Sequence, residues 1–357
     1  MLYVGLDVHA RKIVGCVLNA DGKPLRQFEL PGDVSRLLLE LQRLKDRCAV
    51  CYEASCGYGH LYDRLRQLPN VVRIAVAHPG QLRLIFRSKK KHDRADARKL
   101  ALLLFLDQVP EVHVPALDVR AWRAAIEFRR KLVDRQTMVK NELRALLRTH
   151  GVRAPYRTAL WTRKGLAWLA EQPWPTGLAS LQRTVLLEEL AQLRTRLATL
   201  TRELNRLGAT HPGVILLRTI PGVGPRTAEA VLAYIDQPQR FRRLKQVGSY
   251  FGLVPCQDQS AGTNRLGHIT REGPATVRKL LTAATWQGVQ RSPEIRAYFE
   301  RLQRGDPDRQ KIALVATAHW LLRVMLSMLR TGEVARFTRL TRKQEQSARA
   351  AAAAPAA

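Results

Sequence analysis

The chain has 357 residues, 46% of them hydrophobic, which is enough for two or three domains with cores of their own. Its 60 Lys and Arg against 30 Asp and Glu leave a net charge of +30, so the expected partner is a polyanion, nucleic acid phosphate first of all. No run of about 20 apolar residues and no basic-then-apolar leader stands out, which speaks against a membrane partner, and five cysteines, an odd number in a long chain, speak against a disulfide framework.

Leu2 to Val8, Ile13 to Leu18 and Leu25 to Leu30 read as three strands, the last two joined by the turn Asn19-Ala20-Asp21-Gly22-Lys23-Pro24. Asp33-Val34-Ser35 opens an apolar-periodic helix through Leu37, Leu38, Leu41 and Leu44. Cys48 to Tyr52 follows as a fourth strand, Tyr58 to Leu68 as a helix and Val71 to Ala77 as a fifth strand. Cys48 and Cys51 have C-x-x-C spacing but no second ligand pair, and read as small buried hydrophobes. A meander followed by alternating strands and helices is an α/β architecture with a mixed sheet, in the order of the RNase H-like fold.

Four acids stand out against the basic background. Asp7 closes the first apolar run and Glu53 the fourth, while Asp93 and Asp96, three apart in a helix to about Phe105, share one face. Carboxylates from several elements are what two Mg²⁺ ions require for phosphoryl transfer. The alternative is that Asp93 and Asp96 are surface partners of Arg94 and Lys99, with Glu53 a charge at a strand end. The run Lys89-Lys90-Lys91 just before them is a candidate phosphate contact.

Pro110 and Pro115 mark a boundary. Residues 118–150 read as a long basic helix with Trp122, Ile126, Leu132, Leu143 and Leu147 on its apolar stripe; 151–180 read as irregular, with Trp161, Trp168 and Trp174 either packing in a core or stacking on bases. Leu186, Leu190, Leu193, Leu197, Leu200, Leu204 and Leu207 form a heptad seam, serving either a helical hairpin within the chain or a coiled coil between protomers. After His211-Pro212-Gly213, the stretch Ile220-Pro221-Gly222-Val223-Gly224-Pro225-Arg226 resembles a helix-hairpin-helix element, with Gly222, Gly224 and Arg226 as candidate nucleic-acid contacts; an ordinary Gly-Pro turn is the alternative. The block from Phe251 to Gly273 sets Ser260 next to Ala261 and Gly262, where an exposed hydroxyl suits a nucleophile, and carries Arg265 and Arg271 as further candidate contacts.

Taken together, Gly5-Leu6-Asp7-Val8-His9, Tyr52-Glu53-Ala54, Lys91-His92-Asp93-Arg94-Ala95-Asp96-Ala97, Ile220-Pro221-Gly222-Val223-Gly224 and the Gly252-Leu253-Val254-Pro255 to Gly273 block resemble the insertion sequence 110 family of DEDD transposases over residues 1–330. The resemblance implies a RuvC-like catalytic domain over 1–110, a helical coiled-coil domain over 111–210 and a C-terminal transposase domain over 211–335; the polar, alanine-rich composition beyond reads as a disordered tail over 336–357. It further implies that Asp7, Glu53, Asp93 and Asp96 bind Mg²⁺ and that Ser260 is the nucleophile on double-stranded DNA, at both element ends and target. The family often has Ser-Ser-Gly where this chain has Ser260-Ala261-Gly262, which leaves Ser260 as the serine of the block. A structured non-coding guide (bridge) RNA and assembly as dimers or tetramers are implied in the same way, while the lack of an apolar span or leader sets the expectation of no membrane partner and a cytoplasmic, nucleoid-associated location. Two other functions fit the residues alone: a RuvC-like nuclease or junction resolvase using water, and a non-catalytic architectural DNA-binding protein.

Overall fold

Short apolar runs, buried on both faces in the second and fourth strands, build the first sheet. In the computed structural model, which describes residues 1–85, 92–155, 159–260 and 262–338, the chain divides into two units, Met1–Leu117 and Asp118–Ala357. The first begins with strands β1 (Leu2–Val8), β2 (Lys12–Leu18) and β3 (Pro24–Pro31), then helix α1 (Val34–Gln42), strand β4 (Cys48–Glu53), helix α2 (Tyr58–Leu65), strand β5 (Val71–Ala77) and helices α3 (Pro79–Ile85) and α4 (Asp93–Phe105). Asn19 shapes the β2–β3 turn, its side-chain oxygen accepting from the N–H groups of Asp21 and Lys23. Asp33 caps α1 by accepting from the N–H of Ser35.

The sheet order is β3-β2-β1-β4-β5, with β1 antiparallel to β2 and parallel to β4. This mixed sheet gives the unit the RNase H-like fold expected from the sequence. The period of two sends Leu2, Val4 and Leu6 of β1 and Val50 and Tyr52 of β4 to one face, against Leu37, Leu41, Leu61 and Leu65 of α1 and α2. Ala49 and Cys51 of β4 face the other way, against Leu100, Leu103 and Leu104 of α4. Cys48 and Cys51 are packed as expected, and burial pushes their thiols up to about 11 and about 12. Past α4, Val112 and Val114 still pack on the first face, and the N–H of Val112 donates to the carbonyl of Val76.

The second unit is mainly helical. It opens on α5 (Leu117–Thr149), α6 (Arg163–Glu171) and α7 (Gly177–Thr210). Residues 151–180, expected to be irregular, therefore contain one helix and the start of another. Thr162 and Thr176 begin them, their hydroxyls accepting from the N–H groups of Gly165 and Ala179. The seam residues Leu186, Leu190 and Leu193 pack against Leu132, Val139, Leu143 and Leu147 of α5, so the leucine stripe serves a helical hairpin within the chain. Trp161, Trp168 and Trp174 are partly buried against the same cluster, which accounts for them as packing residues.

The rest of the unit comprises α8 (Pro212–Leu217), α9 (Pro225–Ile235), α10 (Gln246–Tyr250), the hairpin β6 (Pro255–Ser260) and β7 (Thr263–Ile269), and α11 (Ala275–Arg291), α12 (Pro293–Gln303) and α13 (Gln310–Thr331). The sequence reading passed over one long apolar segment. By length and composition alone, α13 with the residues just before it is apolar enough to cross a membrane. Ala313, Thr317, Ala318, Leu321, Leu322, Met325 and Leu326 of this helix are buried, and its apolar members lie in the core shared with α8, α9, α11 and α12. That packing makes it a core helix.

Candidate active site

The first unit brings acids together because a helix is seated close on a strand. Gly5 of β1 lies directly beneath α4, where a Cβ would collide with the carbonyl oxygen of Ala97 and the N–H of Ala101. Asp7 is two residues along β1 from Gly5, on the same side of the strand, and Asp93 and Asp96 stand in the first turn of α4. Burial is the main cause that raises the Asp7 carboxyl above its ordinary value; His9 lowers it, and the charges of Asp93 and Asp96 raise it further. Asp7 thus senses the charge of both helix acids.

Glu53 approaches by the sheet. Leu6 pairs with Tyr52 across the parallel β1–β4 ladder, so Asp7 and Glu53 are the next residues along on strands about 4.8 Å apart. Both have the opposite facing from Leu6 and Tyr52, toward the α4 side. Glu53 is exposed there.

Two side chains that the sequence reading did not single out join the acids. His9 Nε2 lies 3.2 Å from Asp7 Oδ1. The ligand atoms of Asp7, His9 and Asp93 all lie within 4.8 Å of one another, the one such group of three found among the described residues. Lys12 Nζ lies 2.6 Å from Asp93 Oδ2, and this hydrogen bond holds the Asp93 carboxyl below its ordinary value. Lys99 makes the matching contact to Asp96 at 3.0 Å. The signal for His9 was its spacing: two residues after Asp7, it falls on the same side of the chain as it leaves the strand.

This donor set fits a divalent cation. Carboxylate oxygens with one imidazole suit a hard or borderline ion, and Asp7 is only 17% exposed, in a cluster of like charges that a cation would relieve.

The second unit carries the other candidates. Ser260 is the last residue of β6, opposite Thr263 at the tip of the hairpin, and both strands are exposed over almost their whole length. Ala261 lies outside the described residues, as do Lys89, Lys90 and Lys91. Arg265 stands opposite Asp258 in the hairpin, and Arg271 lies in the exposed segment after it, with φ 57°. At the hairpin base Arg278 of α11 donates to the carbonyls of Phe251, Glu272 and Gly273.

The turn before α9 has an architectural use. A Cβ on Gly222, at φ 89°, would strike the N–H of Gly288 and the carbonyl of Ala284 in α11, so this glycine lets the turn press on that helix. Gly224, the N-cap of α9, faces open space. The Arg226 guanidinium bonds Asn205 and Glu229, the latter at 2.8 Å. Glu229 is 1% exposed, and its burial outweighs the nearby Arg226, Arg129 and Arg218 and pushes its carboxyl up to about 7.

Two family profiles match the sequence. One, described as "Transposase", of the DEDD group of IS110, covers residues 4–151; the other, described as "Transposase IS116/IS110/IS902 family", covers residues 215–300. A "Probable family 20 transposase" of Pseudomonas aeruginosa is 31% identical over 238 residues, 66% of this chain and 69% of that protein. A "Transposase for insertion sequence element IS1111A" of Coxiella burnetii is 26% identical over 241 residues, 67% of this chain and 65% of its own. A "Transposase for insertion sequence element IS1328" of Yersinia enterocolitica is 26% identical over 257 residues, 72% of each chain.

Proposed function

From the premise that this chain belongs to the IS110 family of insertion-sequence transposases, enzymes that cut and rejoin DNA, we propose that Asp7, Glu53, Asp93 and Asp96 are its metal-binding acids and Ser260 its nucleophile. The observation that supports the first part is the meeting of Asp7 with Asp93, whose ligand atoms lie within 4.8 Å, with Asp96 in the same first turn of α4 and Glu53 at the same level of the neighbouring strand. Mg²⁺ is the proposed ion, since the set is mostly carboxylate oxygen. Bound there, it would supply charge neutralisation and in-line alignment at a phosphodiester.

The chain's own residues do the rest. The four carboxylates hold and orient the ion. Ser260 Oγ attacks phosphorus, loses its proton and forms a phosphoserine ester as the P–O bond to the departing strand breaks; that strand leaves as a hydroxyl. The ester retains the energy needed for rejoining, so no nucleotide cofactor is required. The exposed hairpin tip supports this role because a serine there can meet a duplex without unfolding its surroundings.

The substrate reading is double-stranded DNA, at element ends and target, with a structured non-coding guide RNA choosing the sequence and dimers or tetramers as the working form. A net charge of +30 supports a nucleic-acid partner, and a cytoplasmic, nucleoid-associated location is proposed along with the work on DNA. Arg265 and Arg271 are proposed phosphate contacts because both are exposed in and just after the hairpin; Lys89, Lys90 and Lys91 of the first unit and Gly222, Gly224 and Arg226 of the second are proposed as further nucleic-acid contacts. Asp7→Asn tests the metal assignment. Binding of DNA and RNA should persist while divalent-dependent cleavage is lost, and unchanged cleavage would remove Asp7 from the site.

A further inference from the structure

The geometry points to His9 as a direct ligand of the divalent cation, beside Asp7 and Asp93; this rests on the reading that the acid cluster holds such an ion. His9 follows the last residue of β1, and its backbone N–H donates to the carbonyl of Lys12 at 2.9 Å, which fixes the start of its side chain at the strand exit. From there Nε2 reaches Asp7 at 3.2 Å, and the ligand atoms of His9, Asp7 and Asp93 span no more than 4.8 Å. Around one octahedral ion with bonds of roughly 2.1 Å, ligand atoms stand about 3 Å apart when adjacent and about 4.2 Å apart when opposite. His9 and Asp7 therefore need to close by about 0.2 Å to stand adjacent on one ion, and a pair at the full 4.8 Å by about 0.6 Å to stand opposite each other. The imidazole is half exposed, so it has room to make that adjustment.

An imidazole in a carboxylate site changes which metal it prefers. Nitrogen ligands suit first-row transition ions, whereas Mg²⁺ takes oxygen almost alone. His9 consequently tilts this site toward Mn²⁺ relative to an all-carboxylate arrangement, and loss of the ring should lower Mn²⁺ affinity about tenfold or more with a much smaller effect on Mg²⁺.

The experiment uses the full chain with Mn²⁺ alone as probe. Electron paramagnetic resonance counts bound Mn²⁺, and electron spin echo modulation reports nitrogen bonded directly to it. Wild type should show directly bound nitrogen. His9→Gln should lose it and bind Mn²⁺ about tenfold more weakly, and His9→Asp, which restores an oxygen ligand, should regain affinity without the nitrogen signal. Mn²⁺ binding that Asp7→Asn abolishes but that shows no nitrogen, or shows the same nitrogen in His9→Gln, would overturn the role of His9 and leave the acid site standing. Absence of any Mn²⁺ binding sensitive to Asp7→Asn would overturn both.

Discussion

Gly5 and Ala97 meet backbone to backbone, with no room between them for a single methyl group. Gly5 stands two residues before Asp7 and Ala97 one turn after Asp93, so this contact sets how far apart the acids are held. Gly5→Ala should push α4 off the sheet. Overpacking of this kind costs about 1–3 kcal/mol, and here the colliding atoms are backbone and cannot swing aside. Urea unfolding should show a loss in that range, with metal affinity falling alongside; a variant as stable and as tight-binding as wild type would mean that the seat of α4 is not what positions Asp93.

Lys12 competes for the same carboxylate. Its ammonium contacts Asp93 at 2.6 Å, with both side chains about one-third exposed, so water screens the pair and its hold on the carboxylate is weak. Lys12→Ala should accordingly raise Mn²⁺ affinity modestly, measured by titration. Weaker binding in that variant would instead make Lys12 a support that holds Asp93 in place.

Glu229 should make stability depend on pH. Its carboxyl is pushed up to about 7 in the folded chain by burial, against 4.5 when free. A folded state that holds a proton more tightly than the unfolded one loses stability as pH rises through that interval, on the order of 3 kcal/mol in all. Glu229→Gln removes this group's contribution while keeping its shape. The stability of wild type relative to Glu229→Gln should fall between pH 4.5 and 7 and level off above; parallel curves would show that Glu229 titrates in the folded chain as it does in the unfolded one.

Arg278 tests the hairpin base. Three carbonyls, of Phe251, Glu272 and Gly273, converge on its guanidinium, and a two-stranded hairpin with both faces exposed has little else to fix its direction. Arg278→Ala should slow reaction at Ser260 about tenfold or more with Mn²⁺ binding unchanged. Equal rates would show that the hairpin needs no such anchor.

Local pattern made much of this legible. β1 and β5 fall at Leu2–Val8 and Val71–Ala77, and α4 at Asp93–Phe105, as read from alternation, turns and helical spacing. Such signals are short-range, and neighbouring elements reinforce them. The reading failed where they were weak or unusual. Prolines and tryptophans between 151 and 180 hid two helices that threonine caps begin. The β6–β7 hairpin is nearly all exposed, so its strands carry no apolar alternation to detect. At the site, the acids were visible as types in position. The parts played by His9 and Lys12 were not, because they depend on where the turn between β1 and β2 carries the chain. Gly222 was read as a place for phosphate to approach, but packing against α11 gives that glycine a use of its own.

Attack on DNA by Ser260 with the four acids holding the metal, as proposed, would leave a phosphoserine ester, and looking for that ester is the most direct test. Purified protein with a DNA substrate bearing its element ends, its guide RNA and Mg²⁺ should yield a denaturant-resistant protein–DNA adduct that is lost in Ser260→Ala and in Asp7→Asn. An adduct that survives Ser260→Ala, or cleavage that proceeds in both variants, would contradict the account.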